Sequence, residues 1–558
     1  MLDVAARRAA MESRHKTWRE CTIDAYFDRA AAEFGARPLV LTDELTLDYS
    51  DVQSTSRRVA VLLRNRGIGK GDRVALLTPN LPLLPALMLG VWRTGAIVVP
   101  LNTSYRADEL DYVLRQSECS MLIVGFSSEV PGPVEIVSAL LSAKAPGQFS
   151  GFPSLRSVIF YGGLSEGEAF EAELARLDGD VQTSNPSNGR DTAVIMYTSG
   201  TTGLPKGVML SHDNLLRAAY GEAHHKAFED GRRAVFSLPM YHAFGLVVGF
   251  LAGLPVGGAI IPFAKFDPER ILDAIGRHKA TFLMAVPTMT VAMLQTPERP
   301  THDFSSLRSI HSSAAATPSW VWDAIPKRFG NIDVFTSYGM TETTATIVCS
   351  SPGDSLLTVS STVGRILEAG AAGIPARGGA VAEIRLIDPA TGAEVEPGEA
   401  GEICVRTPLA TAGYFRKEEE TARLFGPDGW LRTGDLGRFR DDGYLVLTGR
   451  SKELYKTGGE LVSPKEVEDV LTCHSAVQQA FVVGLPDERW GESGCAYVVL
   501  SDAGVTHEEL RDFVKSRLAG FKVPKHIIEI GAEDLPRTGT GKVQKFRLVD
   551  MAREALGV

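Results

Sequence analysis

Residues 197–207 read YTSGTTGLPKG, directly after the strand-like run TAVIM at 192–196. Glycines let backbone amides approach an anion, Ser and Thr hydroxyls add donors, and Lys206 supplies a cation for phosphates. A short glycine pattern is commonly no more than a turn between strand and helix. Here donors and one cation crowd into a single loop, which reads as a phosphate grip with Thr198, Ser199, Gly200, Thr201, Thr202 and Lys206 as its contacts. The P-loop order GxxxxGK(S/T) would need Gly then Lys at Pro205 and Lys206, so the order differs and the fold should too.

Working outward, the chain has 558 residues, 44% of them hydrophobic, which is more than one core usually serves, so at least two domains are expected. Lys and Arg number 58 against 68 Asp and Glu, a net charge of -10 without long runs of one sign. That balance leaves no electrostatic footprint for DNA or RNA. Cys21, Cys119, Cys349, Cys404, Cys473 and Cys495 are scattered singly, with no zinc-like spacing, which suits a reducing cytoplasm. The N-terminal residues mix charges every few positions and have no apolar stretch of signal-peptide length. The longest apolar run, residues 244–263, is interrupted by Pro255 and several glycines, and reads as buried helix then buried strand, not a membrane span.

Apolar segments of strand and helix length alternate before the loop (strands 73–77 and 96–100, helices 81–93 and 107–115) and again after it. The second series has helices at 214–224 and 268–278 and strands at 234–238 and 281–286, so two similar α/β halves are expected. Between 363 and 415 short β-rich runs separated by Gly and Pro suggest a small β-barrel or antiparallel sheet. Helix 464–471, strand 477–483 and helix 507–517 suggest a compact α+β unit, with a boundary near Gly449. The expected domains are residues 1–448 and 449–558.

Five further stretches join the opening one: LPMYHAFG at 238–245, YGMTET at 338–343, TGD at 433–435, GRSKELYKTGGE at 449–460 and PRTGTGKV at 536–543. In this order they resemble the adenylate-forming superfamily of acyl-CoA synthetases, peptide-synthetase adenylation domains and firefly luciferase, and within it the acyl-CoA ligases. The resemblance spans nearly the whole chain. It implies an N-terminal domain of two α/β subdomains plus a small β-barrel, and a small mobile C-terminal domain. It also implies ATP, Mg2+ and coenzyme A, the last as acyl acceptor.

By the same resemblance, Lys542 bridges carboxylate and α-phosphate, Thr341 donates to that phosphate, and Glu342 holds Mg2+. Tyr338 lies against adenine beside Gly339, with Ala314 and Ala315 in the opposite wall. Asp435 accepts from the ribose hydroxyls, and Arg450 reaches ribose or phosphate. Tyr241, His242, Phe244, Gly245, Val286 and Ser312 are expected to line the acyl pocket, with His242 as its gate toward coenzyme A. That mix suits a bulky hydrophobic acid. Lys452 matches the hinge about which the small domain turns between steps, after which Lys456, Gly458 and Gly459 face the site.

Two stretches depart from the family's pattern. LRSIHSSAAATP at 307–318 has Ser313 for a usual glycine and Ala316 for a usual proline, which predicts an altered nucleotide grip or pocket shape. Residues 366–384 are longer than usual and rich in Gly and Ala, which predicts a mobile loop. These departures leave two alternatives: an acyl-AMP ligase serving an acyl carrier protein, or an enzyme performing only the transfer from a preformed acyl-adenylate. A binding protein that has lost catalysis is disfavoured, because it has no use for Lys542. A homodimer is left open.

Overall fold

The computed structural model describes residues 3–142, 151–163, 165–178, 186–198, 204–315, 317–458, 460–501, 504–537 and 542–557. One sheet of the large N-terminal part has six strands in the order Ser157–Tyr161, Met121–Gly125, Arg73–Leu77, Ile97–Pro100, Thr192–Thr198 and Lys206–Ser211. The first five run parallel, and the last turns back antiparallel on Thr192–Thr198. A second sheet has seven strands in the order Asp333–Phe335, Ser309–Ser312, Phe282–Ala285, Arg233–Phe236, Ala259–Pro262, Pro38–Leu41 and Thr46–Asp48. It is parallel except at its last pair.

Both sheets are covered on both faces, which is why their strands read as unbroken apolar runs. Val74 and Leu76 point into a core shared with Phe236 and Ile260 of the second sheet, whereas Ala75 and Leu77 face the other way into a separate cluster. The helix His212–His225 crosses the shared core and is buried along almost its whole length. Its N-terminus is closed by a reciprocal cap: Ser211 Oγ accepts from the Asn214 amide at 3.1 Å, and Asn214 Oδ1 accepts from the Ser211 amide at 3.0 Å.

Expected and observed elements agree to within a few residues, with helices at Leu84–Arg93, Ala107–Gln116 and Pro268–Arg277 among them. The apolar run 244–263 departs in type: it is a π-helix, Phe244–Phe250, then a 3-10 helix, Leu251–Val256, before the strand Ala259–Pro262. Wide π turns are frequently found at functional sites. The region read as barrel or sheet, 363–415, gives one strand to a three-stranded sheet (Ser337–Tyr338, Val348–Cys349, Arg365–Ile366) and two to a four-stranded one (Glu383–Ile387, Gly401–Arg406, Leu431–Phe439, Leu445–Arg450), both completed by flanking segments.

Residues 366–384 are folded, contrary to the mobile loop expected. The Ala369 amide donates to the Gly379 carbonyl at 2.8 Å and the Val381 amide to the Leu367 carbonyl at 2.9 Å. Ala369 and Val381 are buried against Gly221 of the central helix. Their small size reflects close backbone approach, not flexibility.

The C-terminal part is a five-stranded sheet built on the long antiparallel pair Val477–Asp487 and Gly491–Leu500, with Tyr455–Thr457, Glu460–Val462 and His526–Glu529 at its sides. Helices Pro464–Thr472, His507–Lys515 and Lys545–Leu556 pack on it.

Candidate active site

Asp435 and Arg450 are cross-strand partners in the four-stranded sheet, and Arg450 Nε lies 2.8 Å from Asp435 Oδ1. The buried Tyr338 hydroxyl donates to Asp435 Oδ2 at 2.9 Å. Each carboxylate oxygen has a second lone-pair direction, so this arrangement orients Asp435 without exhausting it as an acceptor. Gly434 beside it has φ +73°, and its carbonyl accepts from the Ser451 amide at 2.9 Å and the Ser451 hydroxyl at 3.0 Å.

Lys542, from the C-terminal part, reaches this group. Burial pushes its ammonium down to about 8 from 10.5; the Arg450 charge lowers it further, Asp435 and Glu453 oppose, and Lys545 adds to the lowering. Residues more than a hundred positions apart, Asp435 and Lys542, therefore share one electrostatic site.

The phosphate loop is pinned at both flanks, because Thr198 and Lys206 pair directly across adjacent antiparallel strands. Ser199, Gly200, Thr201 and Thr202 lie outside the described residues. The Lys206 ammonium stands 5.2 Å from the centre of the Tyr414 ring, and the Tyr414 hydroxyl donates to Glu342 Oε1 at 2.7 Å. The Thr411 amide donates to the Glu342 carbonyl at 2.8 Å. Tyr414 and Thr411 escaped sequence reasoning; nothing in their local sequence marks them, and only the fold brings them to Glu342.

Glu342 is buried in a short 3-10 turn, Thr341–Thr343, followed by Thr344 at φ +54° and Ala345 at φ +77°. The backbone doubles back so tightly that a Cβ on Gly339 would sit 1.7 Å from the Ala345 carbonyl oxygen. Only glycine fits there.

The altered stretch 307–318 has a structural answer. Ser313 is buried, and its hydroxyl both accepts from the Ser337 amide at 3.1 Å and donates to the Ser337 carbonyl at 2.8 Å. The parallel pairing of Ser309–Ser312 with Asp333–Phe335 is thereby carried on by a side chain as far as the residue before Tyr338. The serine thus ties this stretch to the segment that leads into Tyr338. Ser312 Oγ meets Thr290 Oγ1 at 2.9 Å, while Ala314, at φ +78°, and Ala315 are exposed. Ala316 lies outside the described residues.

On the acyl side, Asn80 holds the turn before the π-helix, its Nδ2 donating to the Leu238 carbonyl and its Oδ1 accepting from the Met240 amide, both at 2.9 Å. Sequence reasoning missed Asn80 as well. A Cβ on Gly245 would lie 2.2 Å from the Pro239 carbonyl oxygen. The His242 ring is 4.7 Å from that of Tyr241, and burial pushes the imidazole down to about 4, so it is neutral near pH 7. Phe244 meets the buried His311 edge-on at 4.8 Å, and Val286 is buried at the start of Pro287–Gln295.

Lys452 and Lys456 are exposed, and Gly459 lies outside the described residues. The Lys456 amide donates to Glu492 Oε2 at 2.8 Å, and Gly458, at φ +62°, donates its amide to the Trp490 carbonyl at 2.9 Å. Among the described residues these contacts stay within the C-terminal part, away from Asp435.

The AMP-binding enzyme family matches residues 27–415, and the C-terminal domain of AMP-binding enzymes matches residues 466–542. YngI of Bacillus subtilis, which carries an acyl-CoA synthetase name, is 36% identical over 543 residues, covering 95% of each chain. The ATP-bound structure of MatB from Rhodopseudomonas palustris is similar with a TM-score of 0.81 at 30% identity, covering 95% of this chain and 99% of that one. The anthranilate CoA ligase AuaEII in complex with anthranoyl-AMP has a TM-score of 0.84 at 26% identity, over 97% and 98% of the two chains. This chain belongs to the AMP-binding enzyme family and is an acid-thiol ligase of the acyl-CoA synthetase type.

Proposed function

We propose that the chain joins a hydrophobic carboxylic acid to AMP using ATP, then passes the acyl group to the thiol of coenzyme A. The observation that carries this reading is Asp435 held by Arg450 at 2.8 Å and by the Tyr338 hydroxyl at 2.9 Å, with the charge of Lys542 from the C-terminal part acting on the same group. In the first step a carboxylate oxygen attacks the α-phosphorus, the bond to the bridging oxygen breaks, and pyrophosphate leaves with the bond's electron pair. Negative charge must be held in place while this happens, so positioned cations and donors supply most of the acceleration. Lys542 serves the α-phosphate and carboxylate, Thr341 donates to the α-phosphate, and Lys206 meets the β- and γ-phosphates. Tyr338 and Gly339 flank adenine opposite Ala314 and Ala315, and Asp435 with Arg450 holds the ribose.

Mg2+ suits Glu342. One buried carboxylate, oriented by the Tyr414 hydroxyl, is what an ion that takes its remaining ligands from phosphate oxygens and water requires. When bound there, the ion would neutralise phosphate charge.

In the second step the thiol sulfur attacks the acyl carbonyl carbon, the bond to the AMP oxygen breaks, AMP leaves, and the thiol proton passes to solvent. Lys542 must then vacate the carbonyl. We assign the bulk of residues 1–448 and 449–558 to the two moving bodies and Lys452 to the hinge. The strand ending at Arg450 belongs to the four-stranded sheet, where Gly449 and Arg450 pair with Leu436 and Asp435, and the next strand, from Tyr455, to the C-terminal one, so the division falls just after Arg450, at the turn that holds Lys452. After the turn, Lys456, Gly458 and Gly459 would face the site. A cytoplasmic enzyme is the compatible setting; among the described residues no helix is long and apolar enough to cross a membrane.

The test is pyrophosphate and acyl-CoA production with ATP, Mg2+, coenzyme A and a panel of octanoic, dodecanoic, benzoic, cinnamic and steroid carboxylic acids, beside Lys542→Ala. Both products with one of these acids, and loss of pyrophosphate release in the variant, are expected. Acyl-CoA only from supplied acyl-adenylates would refute ATP-dependent activation.

A further inference from the structure

One lysine outside the roles assigned above joins the hinge turn to the loop that carries Lys542. Lys545 is the first residue of helix Lys545–Leu556, and its ammonium stands 2.7 Å from Glu453 Oε2 and 2.7 Å from Glu468 Oε1. Glu453 closes the turn that follows Arg450, its amide donating to the Arg450 carbonyl at 3.1 Å, and Ser451 of the same turn is tied to Gly434 beside Asp435. Glu468, in Pro464–Thr472, also accepts from the Val482 amide at 2.8 Å, so its position is set by the sheet. At the base of the Lys542 loop, the Gln544 amide donates to the Pro536 carbonyl at 2.8 Å, and Arg537 pairs with Val543. Lys545 follows directly.

Two carboxylates share this one cation in a poorly hydrated place, with side-chain exposures of 20% for Lys545 and 13% for Glu468. Removing a buried cation leaves its partners uncompensated, and they pull on the next positive charge within reach. Two such charges already feel Glu453, Arg450 and Lys542; Arg450 is held on Asp435 at 2.8 Å, so the shift falls on Lys542. We propose that Lys545 is a positioning residue for acyl-adenylate formation: it fastens the base of the Lys542 loop to the hinge turn and keeps Glu453 from drawing Lys542 off the α-phosphate. The inference rests on the reading of Lys542 as the lysine of the first half-reaction. It makes no demand on the second, in which Lys542 is withdrawn.

The experiment uses the full chain and measures two rates: pyrophosphate release with ATP and the best acid of the panel, and acyl-CoA formation from the matching preformed acyl-adenylate. Lys545→Met keeps the stem and loses the charge. It should slow the first rate on the order of 10²-fold, as displacement of a reacting group by about an ångström does, and leave the second within about twofold. Lys545→Arg should restore most of the first rate. Adding Glu453→Gln to Lys545→Met should recover part of it, because the competing charge is gone; a merely structural loss would deepen. Slowing of both rates alike, or no recovery on adding Glu453→Gln, overturns the proposal. Lys542→Ala, run in parallel, separates the two layers. If it keeps pyrophosphate release, the reading of Lys542 fails; if it loses release while Lys545→Met keeps it, only the role of Lys545 fails.

Discussion

The depressed ammonium of Lys542 gives the first half-reaction a pH signature. Its fall from 10.5 to about 8 places a free-energy penalty on the charged form in the free enzyme. Burial is the main cause; Arg450 and Lys545 add to it, and Asp435 and Glu453 oppose it. Phosphates arriving with ATP favour the cation and should return much of that free energy. kcat/KM for ATP, which reports the free enzyme, should therefore fall as pH rises through about 8, while kcat at saturating ATP should hold to higher pH. The assay is pyrophosphate release from about pH 6 to 10 without coenzyme A, whose thiol would titrate in the same range. Lys542→Arg places a group there that does not titrate, so its limb near 8 should vanish even if the rate drops. An unchanged limb in Lys542→Arg would refute the assignment. Stability carries the matching sign. Between about 8 and 10.5 the unfolded chain binds the proton and the folded chain does not, so the penalty from this group is full below that window and relieved as pH rises through it.

Three other perturbations address the remaining parts of the site. Ser313→Ala removes the hydroxyl that links to both the Ser337 amide and carbonyl; we expect a loss of about 1–3 kcal/mol in stability and a raised KM for ATP, read by denaturant titration and steady-state kinetics. Gly339→Ala forces a methyl into the Ala345 carbonyl oxygen, so the turn holding Glu342 should open, with a loss above about 3 kcal/mol in stability and no pyrophosphate release. Wild-type behaviour in that variant would sink the account of the turn. Tyr414→Phe takes the hydroxyl donor from Glu342 while leaving the ring under Lys206, so half-saturation by Mg2+ should rise several-fold, by about 1 kcal/mol of lost orientation, with the fold intact by circular dichroism.

Much of the fold was legible because buried parallel strands must be apolar along their whole length, as Val74, Ala75, Leu76 and Leu77 are, facing two cores in turn. The motif positions were legible for a different reason. Glycine beside Tyr338 and the paired ends of the phosphate loop are demands of local backbone geometry, and local demands leave a local trace. The gly-ala run 366–384 misled, since composition does not distinguish a loose chain from one whose small side chains let Gly221 of a buried helix lie close. For Ser313 the residue type shows only that it replaces a glycine, and its partners at Ser337 reveal that it continues a strand pairing.

By itself, then, the sequence determined the order of the elements and which glycines the turns require, because these are set by neighbours along the chain, and its ordered motifs carried the family resemblance that implied the class of chemistry. Tertiary structure decided the partners: Tyr414 on Glu342, Asn80 on the turn before Phe244, and Lys545 between Glu453 and Glu468. Each of those contacts joins residues far apart in the chain through one or two side-chain atoms, whose positions are set by packing that no local pattern encodes.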